Sequence, residues 1–367
     1  MFFKKEVIPL SILDLLKNYN VLGVDLGFTQ SKGFTVKTDG TPWRFIMPSV
    51  VKFRTGEELD IGMKTNDGYK IDLLGHTKSH GKWFVGQSGD LDLTPKRFGE
   101  INHDWDYAKY FTVLGNYVHA TGNRTIDKLI TGLPVTEIKP YTEHLKRSMT
   151  GTFKFEFDGT PLKVEVKDVV VLPQPAGSFF GHSLTLEGKQ NKKSDHVRGY
   201  VLILDIGGRT SDIIIMNNGI YEGGYSFDLA VTNVHDELSN LLLQTYDFSN
   251  LSPVQIDQAL RTRSFSGIKI DTLVKQAVQS VFSKMTQEFP KNSLTRDFLR
   301  FDAVMVTGGG APVFYPHLKS FTEKASRGLK EIPVIELPDA EFANATGFYK
   351  FAIFNLRKQL KTASAQQ

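Results

Sequence analysis

The sequence predicts an α/β protein built from two similar halves, and three observations carry that prediction. Two strand–glycine turn–strand segments, Val21 to Val36 (VLGVDLGFTQSKGFTV) and Tyr200 to Ile220 (YVLILDIGGRTSDIIIMNNGI), repeat one design far apart in the chain. Apolar strand runs alternate with helical periodicities through both halves. A third apolar run, Ala303 to Val306, leads straight into Gly308-Gly309-Gly310.

Composition narrows the class. At 367 residues the chain is long enough for two lobes with cores of their own. Net charge is +4 with the basic residues dispersed, so nothing argues for direct nucleic-acid binding. The absence of cysteine excludes disulfides, thiolate metal sites and cysteine nucleophiles, and it fits a reducing cytoplasm. No apolar run is long enough to cross a bilayer.

In chain order, residues 1–20 read as an N-terminal extension, interrupted by Pro9 and Asp14 and without a cleavage site. The first half then spans 21–197, with a turn-rich inserted subdomain at about 43–105 that includes a strand at Trp83-Phe84-Val85. Helices are expected at Tyr107–Ala120 and Thr142–Met149, with strands at Lys128–Val135, Thr152–Phe157 and Leu162–Leu172. Gly188–Arg198 is polar, aperiodic and basic (Lys189, Lys192, Lys193, Arg198), so it reads as a solvated linker. The second half, 198–367, continues with helices at Val231–Gln244 and Ile268–Phe289, the latter with Leu273, Val274, Ala277 and Val281 on a core face. A helix from about Pro316, a strand at Val334-Ile335 and a C-terminal helix from near Ala340 complete it. His76 and His80 have metal-like spacing but no third ligand, and read as solvated loop residues.

The chemistry concentrates at the glycine turns. Asp25-Leu26-Gly27-Phe28-Thr29-Gln30-Ser31-Lys32 and Asp205-Ile206-Gly207-Gly208-Arg209-Thr210-Ser211-Asp212 each set an aspartate at a strand end, followed by a tight turn. Backbone N–H groups of such turns can converge on phosphate oxygens. The aspartates cannot bind phosphate, and their natural partner is Mg²⁺, reached directly or through water. Lys32 supplies a cation for a phosphate. One Asp-x-Gly turn is common in ordinary hairpins, whereas two matching copies point to one shared purpose. Gly308, Gly309 and Gly310 allow the backbone to lie against a planar base or ribose.

This order of motifs resembles the actin, heat-shock chaperone and sugar kinase superfamily. Asp25–Lys32 looks like its first phosphate motif, Asp205–Asp212 its second and Val304–Ala311 its adenosine motif. Four stretches resemble the ParM/StbA plasmid-segregation actins and their archaeal relatives: 205–212, Pro173-Gln174-Pro175-Ala176-Gly177, Ile130-Thr131-Gly132-Leu133-Pro134-Val135, and Phe342-Ala343-Asn344-Ala345 with Gly347. The resemblance implies an actin-like ATPase fold, with duplicated ribonuclease H-like domains around a nucleotide cleft. It implies ATP or ADP with Mg²⁺ as ligands. Gln174 falls where the superfamily orients the attacking water, while Asp25 and Asp205 would hold the metal. Gly27, Phe28, Thr29, Lys32, Gly207, Gly208, Arg209, Thr210 and the three late glycines would bind nucleotide.

The implied activity is ATP hydrolysis coupled to dynamic filaments of the protein itself, for plasmid DNA segregation through a DNA-binding adaptor, in the cytoplasm and away from membranes. A small-molecule kinase of the same superfamily is the alternative, opposed by Gln174 where a carboxylate base would be needed. A non-polymerising ATP-dependent switch is the other.

Overall fold

The computed structural model describes residues 19–53, 68–74, 81–86, 104–246 and 251–365. Residues 1–18 of the expected extension, and His76 with His80, lie outside the described residues. The chain divides into two compact units: the first runs to Asp195 and includes the chain from Phe342 onward, and the second is His196–Glu341.

The first unit begins with β1 (Val21–Leu26), β2 (Gln30–Val36), β3 (Pro42–Pro48), β4 (Val51–Phe53), β5 (Tyr69–Asp72) and β6 (Lys82–Val85). Next come α1 (Asp104–Thr121), β7 (Thr125–Ile126), β8 (Lys128–Leu133), α2 (Val135–Met149), β9 (Gly151–Phe157), β10 (Thr160–Val166), β11 (Val169–Pro173) and α3 (Gln174–Ser183). The main sheet has the order β11-β8-β1-β2-β3, with β1, β8 and β11 parallel and β2 and β3 antiparallel to their neighbours. A second sheet, β4-β6-β5-β9-β10-β7, joins inserted strands to strands from beyond the insert. β3, expected inside the insert, is instead the edge of the main sheet.

The second unit contains β12 (Tyr200–Ile206), β13 (Ser211–Asn217), β14 (Ile220–Phe227), α4 (Val231–Tyr246), α5 (Pro253–Thr262), β15 (Ser264–Phe265) and β16 (Ile268–Lys269). It continues with α6 (Asp271–Glu288), β17 (Ala303–Thr307), α7 (Ala311–Ala325) and β18 (Val334–Glu336). Its sheet runs β14-β13-β12-β17-β18, again with three parallel strands and two antiparallel ones. Order and direction match the first unit strand for strand, so the repeated hairpins are the visible part of a duplicated topology.

The period-2 alternation of β1 explains how it serves two layers. Leu22, Val24 and Leu26 enter one apolar cluster with α1 and the second sheet, while Val21 enters another with the last helix, α8 (Ala343–Ala365). Asp25 shares the α8 face by the same alternation. Glycines bring this helix in: a Cβ at Gly23 would collide with the Ala345 carbonyl, and one at Gly347 with the Gly177 carbonyl of α3. Asn344 Oδ1 accepts from both the backbone N–H and the hydroxyl of Ser178, at 3.0 and 2.6 Å. The sequence reading keeps this helix with the second half, yet it packs in the first unit, because its partners are 160 or more residues upstream.

Other differences have local causes. The expected strand Leu162–Leu172 is two strands in different sheets. Leu162, Val164 and Val166 alternate inward, then exposed Lys167 and Asp168 shift the phase so that Val169 and Val171 are next to be buried. α2 starts seven residues before the expected Thr142 and tolerates Pro140, and α7 starts at Ala311 with Pro316 inside it. Ile268–Lys269 is a hairpin strand, after which α6 begins at Asp271 with Val274, Ala277 and Val281 buried. The linker contains the division between units and carries a 3₁₀ turn at Lys192–Val197; Lys189, Lys192, Lys193 and Arg198 are exposed.

Candidate functional site

In the first unit the apolar run of β1 delivers Asp25 to the end of the strand with 3% of its surface exposed. Register sets Lys32 directly opposite on β2, and the Lys32 Nζ to Asp25 Oδ2 distance is 3.7 Å. Gln174, the first residue of α3, donates from Nε2 to Asp25 Oδ1 at 2.7 Å. Gly132 makes room for it, since a Cβ there would lie 3.0 Å from the Gln174 Cα. Burial pushes the Asp25 carboxyl above its ordinary range, opposed first by the Lys32 charge and then by the Gln174 hydrogen bond. Buried Asp25 and Lys32 of one hairpin and half-buried Gln174, 149 residues from Asp25, therefore form one polar group.

The turn after β1 needs Gly27, where a Cβ would stand 2.7 Å from the Gln30 carbonyl. Phe28 packs its ring against the apolar cluster, which leaves its backbone as the part suited to a ligand, and Thr29 is exposed. Sequence reasoning missed Ser31 and Ser49, both fully buried beneath this turn. Ser49 donates its hydroxyl to the Gly27 carbonyl at 2.7 Å and its N–H to the Thr29 carbonyl at 2.9 Å. The signal available was a hydroxyl in an otherwise apolar stretch, Met47 to Val51.

The second unit repeats the hairpin with different chemistry. Asp205 ends β12 at 5% exposure, but the residue opposite it is Asp212, also buried at 4%. Ser226 donates to Asp212 Oδ1. Gly207 N–H donates to the Thr210 carbonyl at 2.9 Å and closes the turn. The Gly207 and Gly208 carbonyls accept from Val231 and Thr232 N–H at 3.3 and 2.8 Å, docking the start of α4 on the turn. Arg209 and Thr210 are half-buried.

On the parallel neighbour β17, Thr307 lies level with Asp205, and the three glycines follow with three separate roles. Gly308 has φ +84°, and a Cβ there would overlap Asp205 Oδ1 and the Ile206 carbonyl. Gly310 sits against Ile206 and Val231 and starts α7. Gly309 is exposed with nothing within 4 Å of its Cβ position, so it alone presents bare backbone.

The donor sets can be tested against Mg²⁺. Among the described residues no group of three or more His, Asp or Glu could hold a metal ion. Mg²⁺ takes one or two carboxylates and fills its octahedron with water and phosphate oxygens. Asp205, with Asp212 opposite, suits a hard dication. Asp25 has one oxygen on Gln174 and the other near Lys32, which suits an outer-sphere contact through water.

Residues 23–177 match the family model of actin-like protein N-terminal domains, and residues 203–320 that of the archaeal actin homologue MreB-like C-terminal domain. No curated protein sequence matches the chain. Among solved structures it is similar to the actin-like protein Alp7A, at 15% identity and a TM-score of 0.71 over 95% of this chain and 99% of that one. It is similar to Ta0583, an archaeal actin homologue in complex with ADP, at 16% identity, TM-score 0.68, 91% and 99% coverage. The ParM of a 15-stranded filament from Clostridium botulinum aligns at 21% identity, TM-score 0.67, 91% and 99% coverage. The fold is the actin-like one, each half matches its own family model in the expected order, and the chain belongs to the actin-like superfamily.

Proposed function

We propose that this protein binds ATP with Mg²⁺, hydrolyses it, and couples the nucleotide state to assembly of copies of itself into filaments. The observation that carries the reading is the recurrence, in two sheets of identical topology, of a buried aspartate followed by a glycine turn. The turn amides bind phosphate, and Lys32 exchanges Asp25 for a phosphate oxygen when nucleotide enters. Asp205 would hold Mg²⁺ in the second unit and Asp25 in the first would contact the ion only through water; the ion would supply charge neutralisation on the phosphates. Gln174 cannot act as a base at neutral pH. With its Nε2 donated to Asp25, its Oε1 is left to accept from a water and orient it. Gly309 offers the flat backbone for the base.

The filament part of the reading draws on the relatives, one described as a ParM filament and another as an Alp12 filament. Plasmid segregation through an adaptor is the role that this resemblance suggests. The test is to add ATP and Mg²⁺ to the purified protein and record light scattering, electron micrographs and phosphate release. Nucleotide-dependent filaments and steady phosphate release are expected, with release abolished in Asp205→Ala. Phosphate release that required an added sugar or acid acceptor would replace this reading with the kinase one.

A further inference from the structure

We infer that Ser49 is a positioning residue for phosphate binding: it holds the Gly27 and Thr29 carbonyls of the turn inward, so that these two oxygens do not face an anion. The inference rests on the nucleotide reading above. A turn can bind an anion only if its carbonyl oxygens face elsewhere, because carbonyls rotated toward a phosphate repel it and would favour a cation instead. In the first hairpin Ser49 takes two of the turn carbonyls, Gly27 through its hydroxyl and Thr29 through its N–H. Its hydroxyl proton is committed to Gly27, so the 2.9 Å contact between Ser31 Oγ and Ser49 Oγ must be donated by Ser31. The result is a directed chain, Ser31 to Ser49 to the Gly27 carbonyl, with both serines at 0% exposure.

The second hairpin meets the same requirement with other parts, which is the independent support. There the turn carbonyls of Gly207 and Gly208 are taken by the Val231 and Thr232 amides. Ser211 stands at the register position of Ser31, the first paired residue after the turn, opposite Ile206 as Ser31 is opposite Leu26. It too is fully buried, and it donates to the Leu229 carbonyl at 2.6 Å, fixing the segment that brings those amides in. In each half a buried serine thus secures the segment whose donors turn the carbonyls inward. Ser49 does for the first turn what a helix N-terminus does for the second.

The experiment measures ADP and adenosine affinity by competition against a fluorescent ATP analogue, for wild type, Ser49→Ala and Ser31→Ala, alongside thermal melts. Loss of phosphate positioning should lower the ratio of ADP to adenosine affinity about tenfold in Ser49→Ala. Ser31→Ala, which leaves the Ser49 to Gly27 bond in place, should lower it about threefold. A merely structural role would weaken both ligands together and leave the ratio unchanged, which would overturn the inference. Should Ser49→Ala fail to fold, the Ser31→Ala ratio decides alone. Wild-type protein that binds neither ATP analogue nor ADP would overturn the nucleotide reading itself, a result distinguishable from an unchanged ratio.

Discussion

Gly308 and Gly309 are neighbours, yet alanine at the two positions should have opposite consequences. At Gly308 the backbone has φ +84°, and the added methyl would overlap the Asp205 carboxylate and the Ile206 carbonyl, neither able to give way easily. The left-handed conformation costs a non-glycine residue about 1–2 kcal/mol. Forcing a methyl into a closed site adds about 1–3 kcal/mol. The sum, roughly 2–5 kcal/mol, corresponds to a fall in Tm of roughly 5–15 °C for a domain of this size. At Gly309 the Cβ position is empty out to 4 Å and φ is outside the left-handed region. Alanine there restricts the unfolded chain and should raise stability by about 0.4–1 kcal/mol. The same methyl stands on the bare backbone assigned to the base, so ATP affinity should fall about tenfold or more. Thermal melts of the nucleotide-free proteins and titration with a fluorescent ATP analogue separate the two effects. A Gly309→Ala protein that melts as early as Gly308→Ala, or binds ATP like wild type, would refute the division of roles among these glycines.

Asp25→Asn removes a buried charge while keeping an acceptor for Gln174, so it should abolish ATP hydrolysis, and the nucleotide-free variant should gain stability relative to wild type as pH rises. The folded-state pKa of Asp25 is raised, so its contribution to stability is complete below the unfolded value of about 4 and is lost as pH rises through the folded value. The stability advantage of Asn should therefore vanish in melts recorded toward pH 4 and grow with pH. Burial lowers the pKa of His235, against the opposing charge of Asp257, so its contribution is present above about pH 6.5 and lost on acidification. His235→Gln should flatten the acid limb of the melting curve. Gly347→Ala would place a methyl on the Gly177 carbonyl, and should destabilise by about 3 kcal/mol in denaturant titrations. Because α3 begins at Gln174, the folded fraction should also hydrolyse ATP more slowly. Asp205→Asn should raise the Mg²⁺ concentration needed for nucleotide binding more than Asp25→Asn does, since only Asp205 has a second carboxylate opposite it.

What could be read from the sequence was whatever repeats locally. The two hairpins, the helices with clear periodicity and the glycine run after β17 all express rules that act over a few residues. The split of Leu162–Leu172 was also written there, in the phase slip at Lys167 and Asp168, and a stricter reading of alternation would have found it. Pro140 and Pro316 misled because a proline inside a helix is a tertiary override, offset by packing that no local rule encodes. The placement of α8 was beyond reach for a similar reason: Gly23, Gly177 and Gly347 matter only as a set, through close backbone approaches between distant segments.

The site follows the same division. Asp25 and Gln174 were legible as separate motifs, but their hydrogen bond spans 149 residues and depends on β11 lying two strands from β1. Ser49 stayed hidden because a lone serine after a proline has no pattern of its own. Its meaning comes from comparing the two units. Duplication made both turns, and each then had to solve separately the problem of where its carbonyls point. The copies kept the aspartate, the turn and the buried serine, and diverged at the position opposite the aspartate, lysine in one and a second aspartate in the other. Lysine opposite Asp25 suits a phosphate oxygen and a second carboxylate opposite Asp205 suits a divalent cation, so two turns alike in backbone differ in the ion each is built to meet.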